Sequence, residues 1–113
     1  MPATNKYPQN RPSAFTVAGA PKEPLDEMPL PDRAQLLSKW LGTHTKPTNA
    51  NVRHLLYQHA WIVTGAKFGW WHGAEALKIL IAVDSQTQQL WGIGGRNERV
   101  ARAALAEVEA RSR

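Results

Sequence analysis

The sequence predicts an α+β fold: three amphipathic helices packed with one antiparallel hairpin, behind a proline-rich arm that is extended or disordered. Three observations carry that expectation. Pro2, Pro8, Pro12, Pro21, Pro24, Pro29 and Pro31 crowd the start of the chain, leaving only Pro47 beyond it. Apolar residues recur at helical spacing in three later segments, and Leu77, Ile79, Ile81 and Val83 alternate with the opposite face as strand residues do.

Each proline removes a backbone donor and fixes φ, so residues 1–31 are expected to form the arm and residues 32–113 a single small domain. Within the arm, Ala14-Phe15-Thr16-Val17 has the aromatic and β-branched character of a segment that adds to a sheet edge or docks in a groove. Pro21-Lys22-Glu23-Pro24 has polyproline spacing but reads as linker. A first helix is expected over residues 32–42. Asp32 and Gln35 stand in capping-box positions, Leu37, Trp40 and Leu41 share a face with Leu36 at its edge, and Gly42 ends it.

After a loop through Pro47, a second helix is expected over residues 50–64, because Val52, Leu55, Leu56, His59, Ala60 and Val63 fit the i, i+3, i+4, i+7 template. Its other face carries Arg53, His54, Tyr57, Gln58 and Trp61. Gly65, Gly69 and Gly73, around Phe68, Trp70 and Trp71, read as an anchored turn. The hairpin follows over 77–83 and 89–93, with Asp84 to Gln88 as its turn. Asn97 is the expected cap of a last helix over 97–111, with Val100, Ala104, Leu105 and Val108 as its stripe. Helix, loop, helix, hairpin is loosely the order of a winged helix-turn-helix. A two-stranded sheet is marginal in water, so the helices, a strand added by the arm or a second subunit must cover it, and the hairpin together with the Ala-rich last helix makes a homodimer one expectation. Most of the five tryptophans are expected in the core, with Trp61 and one of Trp70 or Trp71 exposed.

Composition narrows the function. The 113 residues contain no cysteine, which excludes disulfides, thiolate zinc sites and thiol nucleophiles and suits a reducing compartment, the cytoplasm being the simplest. The longest mostly apolar run, Ala74 to Val83, is broken by Glu75 and Lys78 and falls short of the ~20 residues a membrane span needs. No apolar stretch of signal-peptide type occurs near the start.

The net charge of +5 is unevenly spread. No acidic residue lies between Asp32 and Glu75, whereas Arg33, Lys39, Lys46, Arg53 and Lys67 do. Such a basic centre points to an acidic partner, nucleic acid first and an acidic protein surface second.

Candidate chemistry is sparse. His44, His54, His59 and His72 do not pair at the i, i+3 or i, i+4 spacing of helical zinc ligands, so neither metal nor cofactor is expected. His59 faces the core and reads as a hydrogen-bonded interior residue. No serine, aspartate or glutamate forms a nucleophile motif beside a histidine, and without a complete catalytic set the chain is not expected to be an enzyme. Gly94 and Gly95, with Arg96 and Arg99, stand where a phosphate-binding turn would lie, although glycine there also serves plain chain reversal.

The stronger lead is the second helix. Arg53, His54, Tyr57, Gln58 and Trp61, with Lys46 and Lys67 at its ends, can meet phosphates and bases. The expected function is therefore a small nucleic-acid-binding accessory or regulatory protein. The alternative is an adaptor or inhibitor that holds another protein through the arm and the Tyr57 and Trp61 face.

Overall fold

The computed structural model describes residues 19–24 and 28–111, and the Ala14 to Val17 segment lies outside them. Among the described residues there are four helices and no strand: α1 (Leu30–Thr43), α2 (Asn49–Phe68), α3 (Gly73–Trp91) and α4 (Gly95–Arg111). The expected α+β class and its hairpin are thus corrected to an all-helical bundle, and without a hairpin there is no wing. The sheet that argued for a covering second subunit is likewise gone.

Each helix buries a seam whose steps alternate between three and four residues, the spacing of helices packed nearly along one another. The buried seams are Leu30, Ala34, Leu37 and Leu41 in α1, Leu55, His59, Ile62 and Ala66 in α2, and Ala101, Ala104 and Val108 in α4. In α3 the seam is Leu77, Leu80, Asp84, Thr87 and Trp91. Residues 77–93 satisfy strand alternation only over Leu77 to Val83. The seam runs unbroken across the expected turn, because Thr87 satisfies its hydroxyl on the Val83 carbonyl (2.8 Å) and Asp84 bonds to His59. α3 is the hub of the bundle. It packs against all three other helices, whereas α1 and α4 do not touch each other.

The helix ends also move. α1 begins at Leu30 rather than Asp32, with Pro31 in its first turn. A missing N–H costs nothing there, so proline opens the helix instead of barring it. α2 continues through Gly65 to Phe68. A Cβ on Gly65 would lie 2.9 Å from Trp70 and 3.0 Å from Leu30, so this glycine admits neighbours rather than ending the helix. The terminator is Gly69, left-handed at φ 85°. α4 starts two residues before Asn97, and it buries Ala101, with Ala104 and Val108, while Val100 of the expected stripe is exposed.

The turn from Gly69 to His72 is anchored from outside. The Trp70 indole N–H donates to the Pro21 carbonyl (3.0 Å), and the Trp71 amide donates to the Glu23 carboxylate (3.0 Å). Both rings are buried, so neither Trp70 nor Trp71 is the exposed aromatic expected of the pair. Trp91 is buried too and donates to the His44 carbonyl (2.9 Å).

Candidate functional site

The solvent face of α2 is set by the helical repeat. Arg53, Tyr57, Thr64 and Lys67 are all exposed and fall within roughly 80° around the axis, so they form one ridge. Tyr57 stands out of it at 64% exposure. From Arg53 to Lys67 the ridge runs about 21 Å at 1.5 Å per residue. No acidic residue occurs in α2. Lys46 sits just before the helix, where the Asn51 side chain donates to its carbonyl (2.9 Å) and the Thr48 hydroxyl caps the Asn51 amide (3.2 Å). Arg53 and Lys67 are therefore strung along α2, with Lys46 in the loop that enters it.

Of the other expected contact residues on this helix, three turn toward α1. Gln58 accepts from the Arg33 guanidinium (Nη1 to Oε1, 2.7 Å). Trp61 is half-buried under that guanidinium, whose carbon lies 5.3 Å from the ring centre, and meets Trp70 edge-on at 5.9 Å. The His54 ring lies 4.4 Å from that of Trp40. The expectation of an exposed Trp61 is thus corrected. The seven-residue set divides into an open ridge and a row on the α1 side, in which His54 is exposed and Gln58 and Trp61 are half-buried.

Between that row and α1 runs a groove of about 350 Å³, lined by Met28, Arg33, Leu36, Leu37, Trp40, His54 and Gln58. Sequence reasoning singled out His54 and Gln58 but placed none of the α1 residues in a site. A smaller groove of about 170 Å³, on the α4 side, has Leu56, Trp91, Ile93, Gly94, Arg96 and Asn97 in its wall.

At the α3–α4 junction the glycines act as chain geometry. Gly94 has φ 118°, a conformation L side chains rarely adopt, and a Cβ there would come within 3.3 Å of Thr87. Arg96 and Arg99 are exposed. However, the first turn of α4 already holds a carboxylate: Glu98 accepts from Gln88 (2.7 Å) and Arg102 (2.7 Å), and these bonds hold it below the ordinary carboxylate range. That charge opposes a second anion at Gly94 and Gly95.

The remaining chemistry is internal. His59 Nε2 lies 2.9 Å from Asp84 Oδ2, with the two side chains 4% and 0% exposed. Burial pushes the Asp84 carboxyl above its ordinary value, against the pull of His59 and with a further push from Glu98. The other oxygen, Oδ1, is buried without a hydrogen-bond partner. A histidine oriented by an aspartate has the form of a general base, but neither groove is lined by His59 or Asp84. The expected hydrogen-bonded interior role of His59 is met by a residue read from sequence as part of a turn.

Among the described residues no group of three or more histidine, aspartate or glutamate side chains is placed to hold a metal ion, and no helix is long and apolar enough to cross a membrane. Comparison with protein-family models, with curated proteins and with solved structures finds no match for this chain.

Proposed function

We propose that this chain is a nucleic-acid-binding accessory protein that meets its partner through the outer ridge of α2. The observation that carries this reading is the alignment of Arg53, exposed Tyr57 and Lys67 on a helix without an acidic residue, with Lys46 at its entry. Cations spaced along about 21 Å of rigid helix suit a phosphate backbone, whose negative charge repeats along its length. An exposed tyrosine between them suits a sugar or a base. The lack of cysteine fits a reducing compartment such as the cytoplasm. The competing reading, a protein partner held by Tyr57 and Trp61, draws less support because Trp61 is engaged by Arg33 and Trp70.

Titrating the full chain into labelled duplex and single-stranded DNA over a range of salt tests the proposal. Binding should weaken linearly in log–log form as salt rises, and Arg53→Ala and Lys67→Ala should each flatten the slope by roughly one. No binding at low salt, or affinity indifferent to both substitutions, overturns it.

A further inference from the structure

The α1–α2 groove is a feature of the surface that the ridge does not use. We propose that it receives an unstacked nucleobase, so that the chain selects single-stranded nucleic acid, with phosphates along the ridge and one base between the helices. This rests on the nucleic-acid reading of α2 and adds the class of ligand.

Size and chemistry support it. A volume of about 350 Å³ falls within the roughly 300–1,000 Å³ of small-ligand sites, which are apolar with a few convergent polar groups. Here Leu36, Leu37, Met28 and Trp40 supply the apolar wall, and Gln58 and His54 stand at the polar edge. Leu36 and Met28 remain 49% and 38% exposed, so the fold leaves this apolar wall in water. No lining residue is acidic.

The wall is also rigid. The Trp40 ring lies nearly parallel to that of His44 at 4.6 Å and edge-on to Trp91 at 6.1 Å. Gln58 has its oxygen fixed by Arg33, which leaves its amide N–H groups as donors toward an acceptor on a base edge.

Ridge and groove belong to the same helix. Arg53 precedes His54 and Tyr57 precedes Gln58, so each phosphate-facing position is one residue, about 100° around the axis, from a groove-facing one. A strand lying on the ridge therefore has its bases beside the groove. A duplex keeps its bases stacked and paired inside, and a cleft between two packed helices admits only a base that has left the stack.

Fluorescence anisotropy with a short labelled oligothymidylate and a duplex of equal length, using the full chain, its Leu36→Arg variant and its Arg53→Ala variant, tests the inference. Leu36→Arg blocks the groove while adding positive charge, so lost affinity cannot come from charge. The wild type should prefer the single strand. Leu36→Arg should cut single-strand affinity about tenfold, as loss of one stacked base does, without weakening duplex binding, and Arg53→Ala should weaken both.

Equal affinity for the two forms, or single-strand binding undiminished by Leu36→Arg, overturns the groove's role while salt-dependent binding through the ridge still stands. Absence of binding to either nucleic acid at low salt overturns both. Photo-crosslinking of the wild type with an oligonucleotide containing 4-thiothymidine gives a readout that needs no variant. Adducts on Met28, Leu36 or Trp40 support the inference, and adducts confined to Arg53, Tyr57, Thr64 and Lys67 overturn it.

Discussion

α2 and α3 differ by one residue in length and are joined by the short turn from Gly69 to His72, yet they are used in opposite ways. α3 packs against every other helix and buries eight residues distributed from Gly73 to Trp91. α2 buries six residues and keeps Arg53, His54, Leu56, Tyr57, Ala60, Thr64 and Lys67 in solvent. The difference teaches where tolerance to substitution lies. α3 should answer to packing, whereas the outside of α2 should answer to what it binds.

The largest effect should come from opening the hub. Leu80 is fully buried in α3, so Leu80→Ala removes transfer energy and leaves a cavity, costing about 2–5 kcal/mol. Equilibrium denaturation in urea should show it as a fall in midpoint at unchanged slope. A loss below about 1 kcal/mol would mean that α3 is not the centre of the core.

Next comes the joint between the two helices. A Cβ added at Gly73 would stand 2.5 Å from the Ala66 backbone, in which no flexible tip can give way. Gly73→Ala should therefore cost roughly 1–3 kcal/mol through forced separation of α2 and α3. Gly42 is the control. Nothing lies within 4 Å of its missing Cβ, and in the last turn of α1 an alanine should stabilise by up to about 1 kcal/mol. Thermal melts of the pair should move in opposite directions, and movement in the same direction would remove the close approach as the reason for Gly73.

These two helices also mark what local sequence encodes. Arg53 and Tyr57 were legible because Leu55, His59 and Val63 fix the phase of α2, which leaves those two outward, whereas Lys67 joins them only because the helix continues through Gly65 to Phe68. α3 was not, because its seam carries Asp84 and Thr87 where an apolar residue is expected, while Ile79 and Ile81 complete a strand-like alternation. Both polar residues are admitted by partners that only the fold supplies, His59 from α2 and the Val83 carbonyl one turn back. Likewise, the groove needs Leu36 and Trp40 of α1 beside His54 and Gln58 of α2. No periodicity within either helix states that adjacency.

A smaller effect should follow from the polar link between the hubs of the two seams. Burial raises the Asp84 carboxyl above its ordinary value, outweighing the opposing pull of His59. In the unfolded chain an aspartate titrates near 3.9. A carboxyl whose folded value is raised contributes stability that is full below the unfolded value and lost as pH climbs through the folded one. Asp84→Asn is nearly isosteric and removes that titration. The stability of the wild type relative to Asp84→Asn should therefore fall as pH rises above about 4 and then level off. Denaturant titrations of both proteins across that range test it, and a difference independent of pH would show that Asp84 carries no such linkage.

The smallest effect on stability belongs to the ridge. Arg53 and Lys67 are exposed, and among the described residues neither takes part in an ion pair. Removing their side chains leaves no buried group unpaired and opens no cavity, so Arg53→Ala and Lys67→Ala should each stay within about 0.5 kcal/mol of the wild type. Their double substitution should be close to additive, since about 21 Å of helix separates them. The same double variant should lose the most nucleic-acid affinity, because each cation that neutralises a phosphate releases counterions on binding. Melting temperature and salt-dependent affinity, measured on one preparation, would then separate completely: α3 variants lower the first, and ridge variants flatten the salt slope while leaving the melt in place. A ridge variant that melts early would mean that the outer face of α2 serves the fold as well.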